Sequence, residues 1–202
     1  MHTLYLIAIV AEAMSGALMG MQRGMDRFGL ALVGAVTALG GGTVRDVLLG
    51  RYPLTWVAHP EYLLLTLAAA TFASMTATHV ARLKSLFTAV DALGLAAFSI
   101  IGCDVAAAVN GSPVVIVLAG AITGVCGGML RDLLCNEMPL VLRKELYASI
   151  ALLTGGLYVG MKAIGAAQGF ATVVALAVGF ALRMLAVRRG WRLKAFQAAD
   201  AG

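Results

Sequence analysis

A chain of 202 residues that is 61% hydrophobic and 12% charged, with a mean hydropathy of +0.92, lies outside the range of a water-soluble domain, since soluble chains are roughly 45–50% apolar and about 25% charged. Seven spanning helices of about 20 residues take roughly 140 residues, which excludes a separate soluble catalytic domain. The net charge of +5 implies no nucleic-acid partner, because the basic residues are spread over loops rather than gathered on one face.

In chain order the apolar runs predict helices at Leu4–Met21, Phe28–Leu49, Tyr62–Val80, Phe87–Val109, Pro113–Leu134, Leu146–Met161 and Phe170–Val187. Runs of this length satisfy their own backbone hydrogen bonds in lipid, whereas barrels show alternating segments of about 10 residues. The fold class expected is therefore all-α integral membrane with seven transmembrane helices. Turn residues fall between the runs, at Arg51-Tyr52-Pro53, Asn110-Gly111-Ser112-Pro113 and Asn136-Glu137-Met138-Pro139. Ala11-Glu12-Ala13 resembles a signal-peptidase site, yet no positive residue precedes it and the apolar run continues to Met21, so the first segment is expected to remain as a helix. Cys103, Cys126 and Cys135 lie in apolar runs without metal or redox spacing and read as packing residues.

The basic residues divide unequally between the two sides. Arg23, Arg27, Arg82, Lys84, Arg143, Lys144, Arg183, Arg188, Arg189, Arg192 and Lys194 fall on one side, Arg51 and Lys162 on the other, and Arg45 and Arg131 inside predicted helices. The positive-inside rule puts the amino terminus outside and the carboxyl terminus in the cytoplasm, in agreement with an odd number of crossings. Contact of the basic tail with anionic lipid is secondary.

An offset of 86 residues aligns Leu32–Pro53 with Leu118–Pro139, and ten of the 22 pairs are identical, among them Gly41/Gly127, Gly42/Gly128, Arg45/Arg131, Asp46/Asp132 and Pro53/Pro139. Apolar composition does not produce Gly-Gly-x-x-Arg-Asp with a proline seven residues later. The same offset pairs Gly16 with Gly102. A duplicated three-helix unit re-enters the membrane from the opposite side, giving two inverted repeats plus a seventh helix. The divisions expected are 1–86 and 87–166 for the repeats, 167–190 for the last helix and 191–202 for a basic cytoplasmic tail. In transporters and pores built this way, sites lie near the midplane where interrupted helices meet.

Gly40-Gly41-Gly42 and Gly127-Gly128 are the expected interruptions, where freed carbonyls meet a cation or freed amides an anion. Close helix packing is the competing reading. Arg45, Asp46, Arg131 and Asp132 are intramembrane ions, costly in lipid and therefore expected at a polar cavity or a partner. Neighbouring residues project about 100° apart on a helix, so each arginine is expected to pair with carbonyls or with the other copy's aspartate rather than with its own neighbour. A purely structural role, pinning the two halves together, remains open beside the pathway role. Glu12, near mid-span, and Asp104 are additional buried polar candidates. Asp104, nearer the outer face, and Asp91, near the inner end, are each expected to reach interfacial water. The histidines form no cluster, no nucleophile and base appear as a set, and no phosphate loop is present, so neither a catalytic residue, a metal site nor a cofactor is expected.

These paired motifs, Gly40-Gly41-Gly42-Thr43-Val44-Arg45-Asp46 with Pro53 and Gly127-Gly128-Met129-Leu130-Arg131-Asp132 with Pro139, resemble the prokaryotic branch of the trimeric intracellular cation (TRIC) channels, also described as a tandem glycine-transporter domain family. The resemblance spans Leu4 to Val187. It implies a homotrimer in a bacterial inner membrane, with an hourglass pore in each protomer around kinked helices two and five, conducting monovalent cations, chiefly potassium. It makes Gly40–Gly42 and Gly127–Gly128 the constriction and Arg45, Asp46, Arg131 and Asp132 its flanking polar groups. The second copy departs from the pattern with Cys126 in place of Gly40, and the Lys-Glu-Val signature of animal members is absent. The alternatives are a secondary transporter of a small amino acid such as glycine, with Arg45 or Arg131 holding a carboxylate, and a non-conducting scaffold.

Overall fold

The computed structural model describes residues 1–77, 83–109, 111–142 and 146–191. Val80, His79, Arg82, Asn110, Arg143, Lys144, Arg192 and Lys194, all used in the readings above, lie outside the described residues. The fold is all-helical: α1 (His2–Gln22), α2 (Arg27–Leu48), α3 (Thr55–Ala58), α4 (Glu61–Ala77), α5 (Leu83–Ala107), α6 (Pro113–Leu134), α7 (Tyr147–Ala163) and α8 (Gln168–Arg189). The long helices agree with the seven apolar runs to within a few residues, and the single-turn α3 was not anticipated. Five of them, α1, α2, α5, α6 and α8, are long and apolar enough to cross a membrane.

Local chemistry sets the ends. Asp26 caps α2 by accepting from the Gly29 amide at 2.8 Å, satisfying a donor the first turn leaves free. Pro113 begins α6, where its missing N–H costs nothing. Both α2 and α6 stop at a residue with positive φ, Gly50 (63°) and Asn136 (53°), and in each the following amide returns to the last turn, Arg51 N to Asp46 O and Glu137 N to Asp132 O, both at 2.8 Å. Glycine and asparagine are the residues that take this left-handed cap most readily.

Helices α1, α2 and α4 pack as one group and α5, α6 and α7 as another, joined by α2 against α6 and α1 against α5, with α8 on α5 and α7. The interior is built from small side chains, including Ala8, Ala13, Ala17, Ala38, Ala97 and Ala106, all buried, because helices in lipid gain attraction by close approach. Contacts recur at the 86-residue offset. A Cβ on Gly16 would meet Thr37 and Gly34, and one on Gly102 would meet Thr123 and Gly120; a Cβ on Gly34 would meet the Ala13 carbonyl and one on Gly120 that of Ser99.

The central crossing is the tightest approach of one backbone to another among the glycines. A Cβ on Gly41 would strike the Thr123 carbonyl oxygen and one on Gly127 the Thr37 carbonyl oxygen, in both cases backbone that cannot turn aside. Gly127→Val and Gly41→Val are therefore expected to lower the melting temperature of the purified protein, at an overpacking cost of about 1–3 kcal/mol or more. Gly156→Ala, which meets open space, is expected to be neutral or slightly stabilising in the same thermal melt.

Candidate functional site

None of the predicted glycines interrupts its helix. Helix α2 is continuous from Arg27 to Leu48 and α6 from Pro113 to Leu134, so the expected breaks, with their freed carbonyls, are corrected to a close helix crossing. The physical reason is that missing side chains let two backbones touch while each keeps its own hydrogen-bond ladder. Gly41 and Gly127 form the contact, Gly40 faces the Leu130 side chain, Gly42 lies toward Arg45 and Tyr5, and Gly128 lies toward Tyr147 and Arg131. Thr37 and Thr123 at equivalent positions return their hydroxyls to the carbonyls of Val33 and Ala119, each at 2.6 Å, a bond that favours helix bending.

The four intramembrane ions form two clusters, one toward each end of the bundle. At the end where α1 begins, Arg45 Nε and Nη2 donate to Asp46 Oδ1 at 3.0 and 2.7 Å. Asp46 Oδ2 accepts from the Thr55 amide at 2.8 Å and its hydroxyl at 2.6 Å. Both side chains are buried. At the opposite end Arg131 Nε donates to Asp132 Oδ1 at 2.9 Å, and Arg131 Nη1 donates to Asp91 Oδ1 and Ser15 Oγ, both at 2.6 Å. Asp132 Oδ2 accepts from the Leu140 amide at 2.8 Å. Each arginine thus pairs with its own neighbour, against the expectation from helix geometry. The long guanidinium stem bends back and presents its side edge, a reach that Cα directions alone do not reveal.

Asp91 is also corrected: it is 1% exposed rather than in contact with water. Arg183, counted among the orienting basic residues, is 3% exposed, stands 4.6 Å over the Tyr147 ring and comes within 3.9 Å of Asp91. Glu12 is buried as expected, at 1%. Asp104 is half-buried and accepts from Tyr158 and Gln168 at 2.8 and 2.9 Å. Thr55, Ser15 and Tyr147 were missed. The only signal for them lay in Thr55 following Pro53 closely and in polar residues placed within apolar runs.

Two cavities lie at opposite ends of the bundle. One of about 220 Å³ is lined by Tyr5, Arg45, Arg51, Thr55 and Asp104 among others. The other, of about 450 Å³, is lined by Met19, Gln22, Phe87, Asp132 and Glu137 among others. Each reaches one member of an Arg–Asp pair.

The family model described as glycine transporter matches residues 2–78 and again 88–163. The structure resembles that of the TRIC channel orthologue from Rhodobacter sphaeroides, with 36% identity, 93% of this chain and 97% of that one covered, and a TM-score of 0.89. The chain belongs to the prokaryotic TRIC channel family. A second prokaryotic TRIC channel structure is 34% identical with a TM-score of 0.87, covering 95% of this chain and 98% of that one. The UPF0126 inner membrane protein YadS of Escherichia coli K12 is 33% identical over 195 residues, 96% of this chain and 93% of its own length. The TRIC family placement makes the duplicated Arg–Asp clusters features of a membrane protein whose solved relatives are named as channels.

Removing one partner of a buried pair leaves the other charge uncompensated, which costs roughly 3–5 kcal/mol. Arg131→Ala, which strands Asp91 and Asp132, is expected to destabilise by about that amount, whereas Thr55→Val, which removes a hydroxyl donor from Asp46 but keeps the amide, is expected to cost about 1–3 kcal/mol. Unfolding in detergent, followed by tryptophan fluorescence, ranks the two; equal losses contradict the assignment.

Proposed function

We propose that this chain is a monovalent cation channel, permeable to potassium, with a pore in each protomer that runs along α2 and α6. The observation that carries this reading is the pair of cavities that enter from opposite ends, reach the two Arg–Asp clusters and are separated by the Gly41/Gly127 crossing. Gly40, Gly41, Gly42, Gly127 and Gly128 form the constriction. Arg45, Asp46, Arg131 and Asp132 flank it. Opening consists of α2 and α6 moving apart where only backbone holds them together. The arginines do not repel a cation across the pathway because Asp46 and Asp132 neutralise them in place.

The names of the solved relatives support the channel class and a homotrimer, and the inner-membrane name of the Escherichia coli relative supports the bacterial inner membrane. Residues 1–86 and 87–166 act as two inverted three-helix units, supported by the double family match and the recurrent contacts, with seven crossings once α4 and α7, at 17 residues each, are included. Residues 167–190 supply the last crossing and 191–202 the tail. The basic bias puts the amino terminus outside and the carboxyl terminus in the cytoplasm, where the basic side contacts membrane lipids. The protein is not an enzyme on this reading. A transporter that held an amino-acid carboxylate would draw on an arginine's charge, whereas the charges of Arg45 and Arg131 are each offset by an adjacent carboxylate.

Purified protein in voltage-clamped bilayers under a potassium chloride gradient is expected to show single-channel steps that reverse near the potassium potential. Silent bilayers from folded trimers, together with saturable glycine uptake into proteoliposomes, overturn the reading. Asp132→Asn leaves Arg131 less neutralised and is expected to reduce potassium conductance roughly tenfold, equivalent to about 1.4 kcal/mol of repulsion.

A further inference from the structure

The two ends of the bundle have equivalent geometry but different residues at one interhelical position. At the 86-residue offset Tyr5 corresponds to Asp91 and Phe98 to Glu12. Near the amino terminus this position holds two aromatic rings, Tyr5 of α1 and Phe98 of α5, edge to face at 5.8 Å. Toward the other end it holds two carboxyls, Glu12 of α1 and Asp91 of α5, and both residues are 1% exposed. The Glu12 carboxyl lies directly on Gly94, where any Cβ would overlap it. Gly94 is three residues past Asp91 and so shares its face of α5, which brings the two acidic side chains together.

Neither oxygen of Glu12 has a hydrogen-bond partner among the described residues, and neither does Asp91 Oδ2. Asp91 Oδ2 has Arg183 Nη2 at 3.9 Å, whereas Glu12, ionised, would set two bare anionic oxygens in lipid-buried protein, far more costly than a neutral acid. The surrounding charges do not offset them. Glu12 is faced by Asp91 of α5 and by Arg131 and Asp132 of α6, and Asp91 also by Tyr147 of α7 and Arg183 of α8. On the other neighbours of α1, α2 carries its charges (Arg27, Arg45 and Asp46) toward its ends, and α4 carries only Glu61, at its start. Three carboxyls thus meet two guanidiniums, and one added positive charge balances the cluster. The Arg45 cluster, where Asp46 meets Arg45 at 2.7 Å and the half-exposed Arg51 at 3.7 Å, has no surplus carboxylate and needs none.

We propose that Glu12 holds one exchangeable proton and, next to Asp91, forms a proton-binding site beside the pathway, in the half away from the amino terminus. Asp91 is held by Arg131 at 2.6 Å, and its charge stands against a second one on Glu12, so the proton stays on the carboxyl that has no partner. A proton fits where a dehydrated alkali ion does not: the Glu12 carboxyl is packed against Gly94, and among the described residues no three acidic, histidine or cysteine side chains converge as a metal cage. Arg131 binds Asp91 directly and Asp132 lines the cavity, so gain or loss of the proton changes the charge felt at the pathway. That last step, and only that step, rests on the channel reading.

Infrared difference spectroscopy of the full chain in lipid, stepped between about pH 5 and pH 9 where buried carboxyls titrate, tests the site without requiring conduction. The expected result is one carboxylic-acid carbonyl band per protomer that titrates in this range and is lost in Glu12→Gln and displaced or lost in Asp91→Asn. If one variant fails to fold, the other reads the same band. Absence of the band, or its survival in both variants, overturns the proposal. So does a stabilisation by potassium chloride that both variants abolish without any acid band, which assigns the pair to an alkali cation. In bilayers the potassium current is expected to change about fivefold or more across the same pH range and to lose that dependence in Glu12→Gln. A titrating band with silent bilayers leaves the proton site standing and removes the channel; currents without the band do the reverse.

Discussion

The arrangement of this bundle depends on one contact, the crossing of α2 and α6 at which Gly41 lies on the Thr123 carbonyl and Gly127 on the Thr37 carbonyl. In lipid there is no hydrophobic drive to press helices together, so close association rests on how nearly their backbones approach. Glycine at both points removes the only atoms that would keep the axes apart. Helices α1 and α5 then fill the sides through the same device, Gly16 and Gly102 resting on Gly34 and Gly120. The helices remain whole because nothing at the crossing competes for their hydrogen bonds. A contact made of backbone and small residues is strong when closed and has little interdigitation to undo when it opens, as a constriction requires.

The same crossing accounts for the placement of the buried ions. A glycine crossing leaves the next turn of each helix facing the space beneath the cavity, and there the chain places Arg45-Asp46 and Arg131-Asp132. An unpaired guanidinium at that depth would cost several kcal/mol. Pairing with the adjacent aspartate removes most of the net charge without drawing on another helix, while the second carboxylate oxygen is satisfied by a backbone amide, that of Thr55 or Leu140. Each pair therefore ties the end of its helix to the segment that follows, a structural role that the same atoms carry beside the pathway role proposed for them.

Much of this was legible in the chain. Apolar run lengths located the long helices, and the 86-residue offset located the glycines that meet and the charges that are buried. What the glycines do was only half legible: composition cannot separate a broken helix from a close crossing, because both need the side chain removed, and only the partner backbone decides. The Arg–Asp pairing was hidden because helical projection describes Cα directions while a guanidinium ends several bonds away. Asp91 was hidden for another reason. Its position near a helix end suggested water, and its partners Arg131 and Tyr147 are 40 and 56 residues distant along the chain, so nothing local marked it as buried. Arg183 was misassigned by the same logic, since a basic residue near the end of an apolar run counts as an orienting charge unless tertiary packing covers it.

Two copies in the proposed inverted arrangement enclose a path that is symmetric in shape, so any difference between its directions must come from positions where the copies differ. Twelve of the 22 pairs aligned between Leu32–Pro53 and Leu118–Pro139 differ, and some of the differences between the copies line the cavities. Arg51 lines one cavity where Glu137, its counterpart, lines the other, the latter paired with Arg23. Tyr5 and Phe98 stand where Asp91 and Glu12 stand opposite, and Gly40 faces the crossing where Cys126 is its equivalent. At these positions the end away from the amino terminus carries the acid, Glu137, Asp91 and Glu12 against Arg51, Tyr5 and Phe98, although Lys84 lines the same cavity. On the proposed path the two mouths therefore differ in their charged groups. Duplication supplies the shape, and the positions at which the copies differ supply the polarity that a shape with twofold symmetry cannot have.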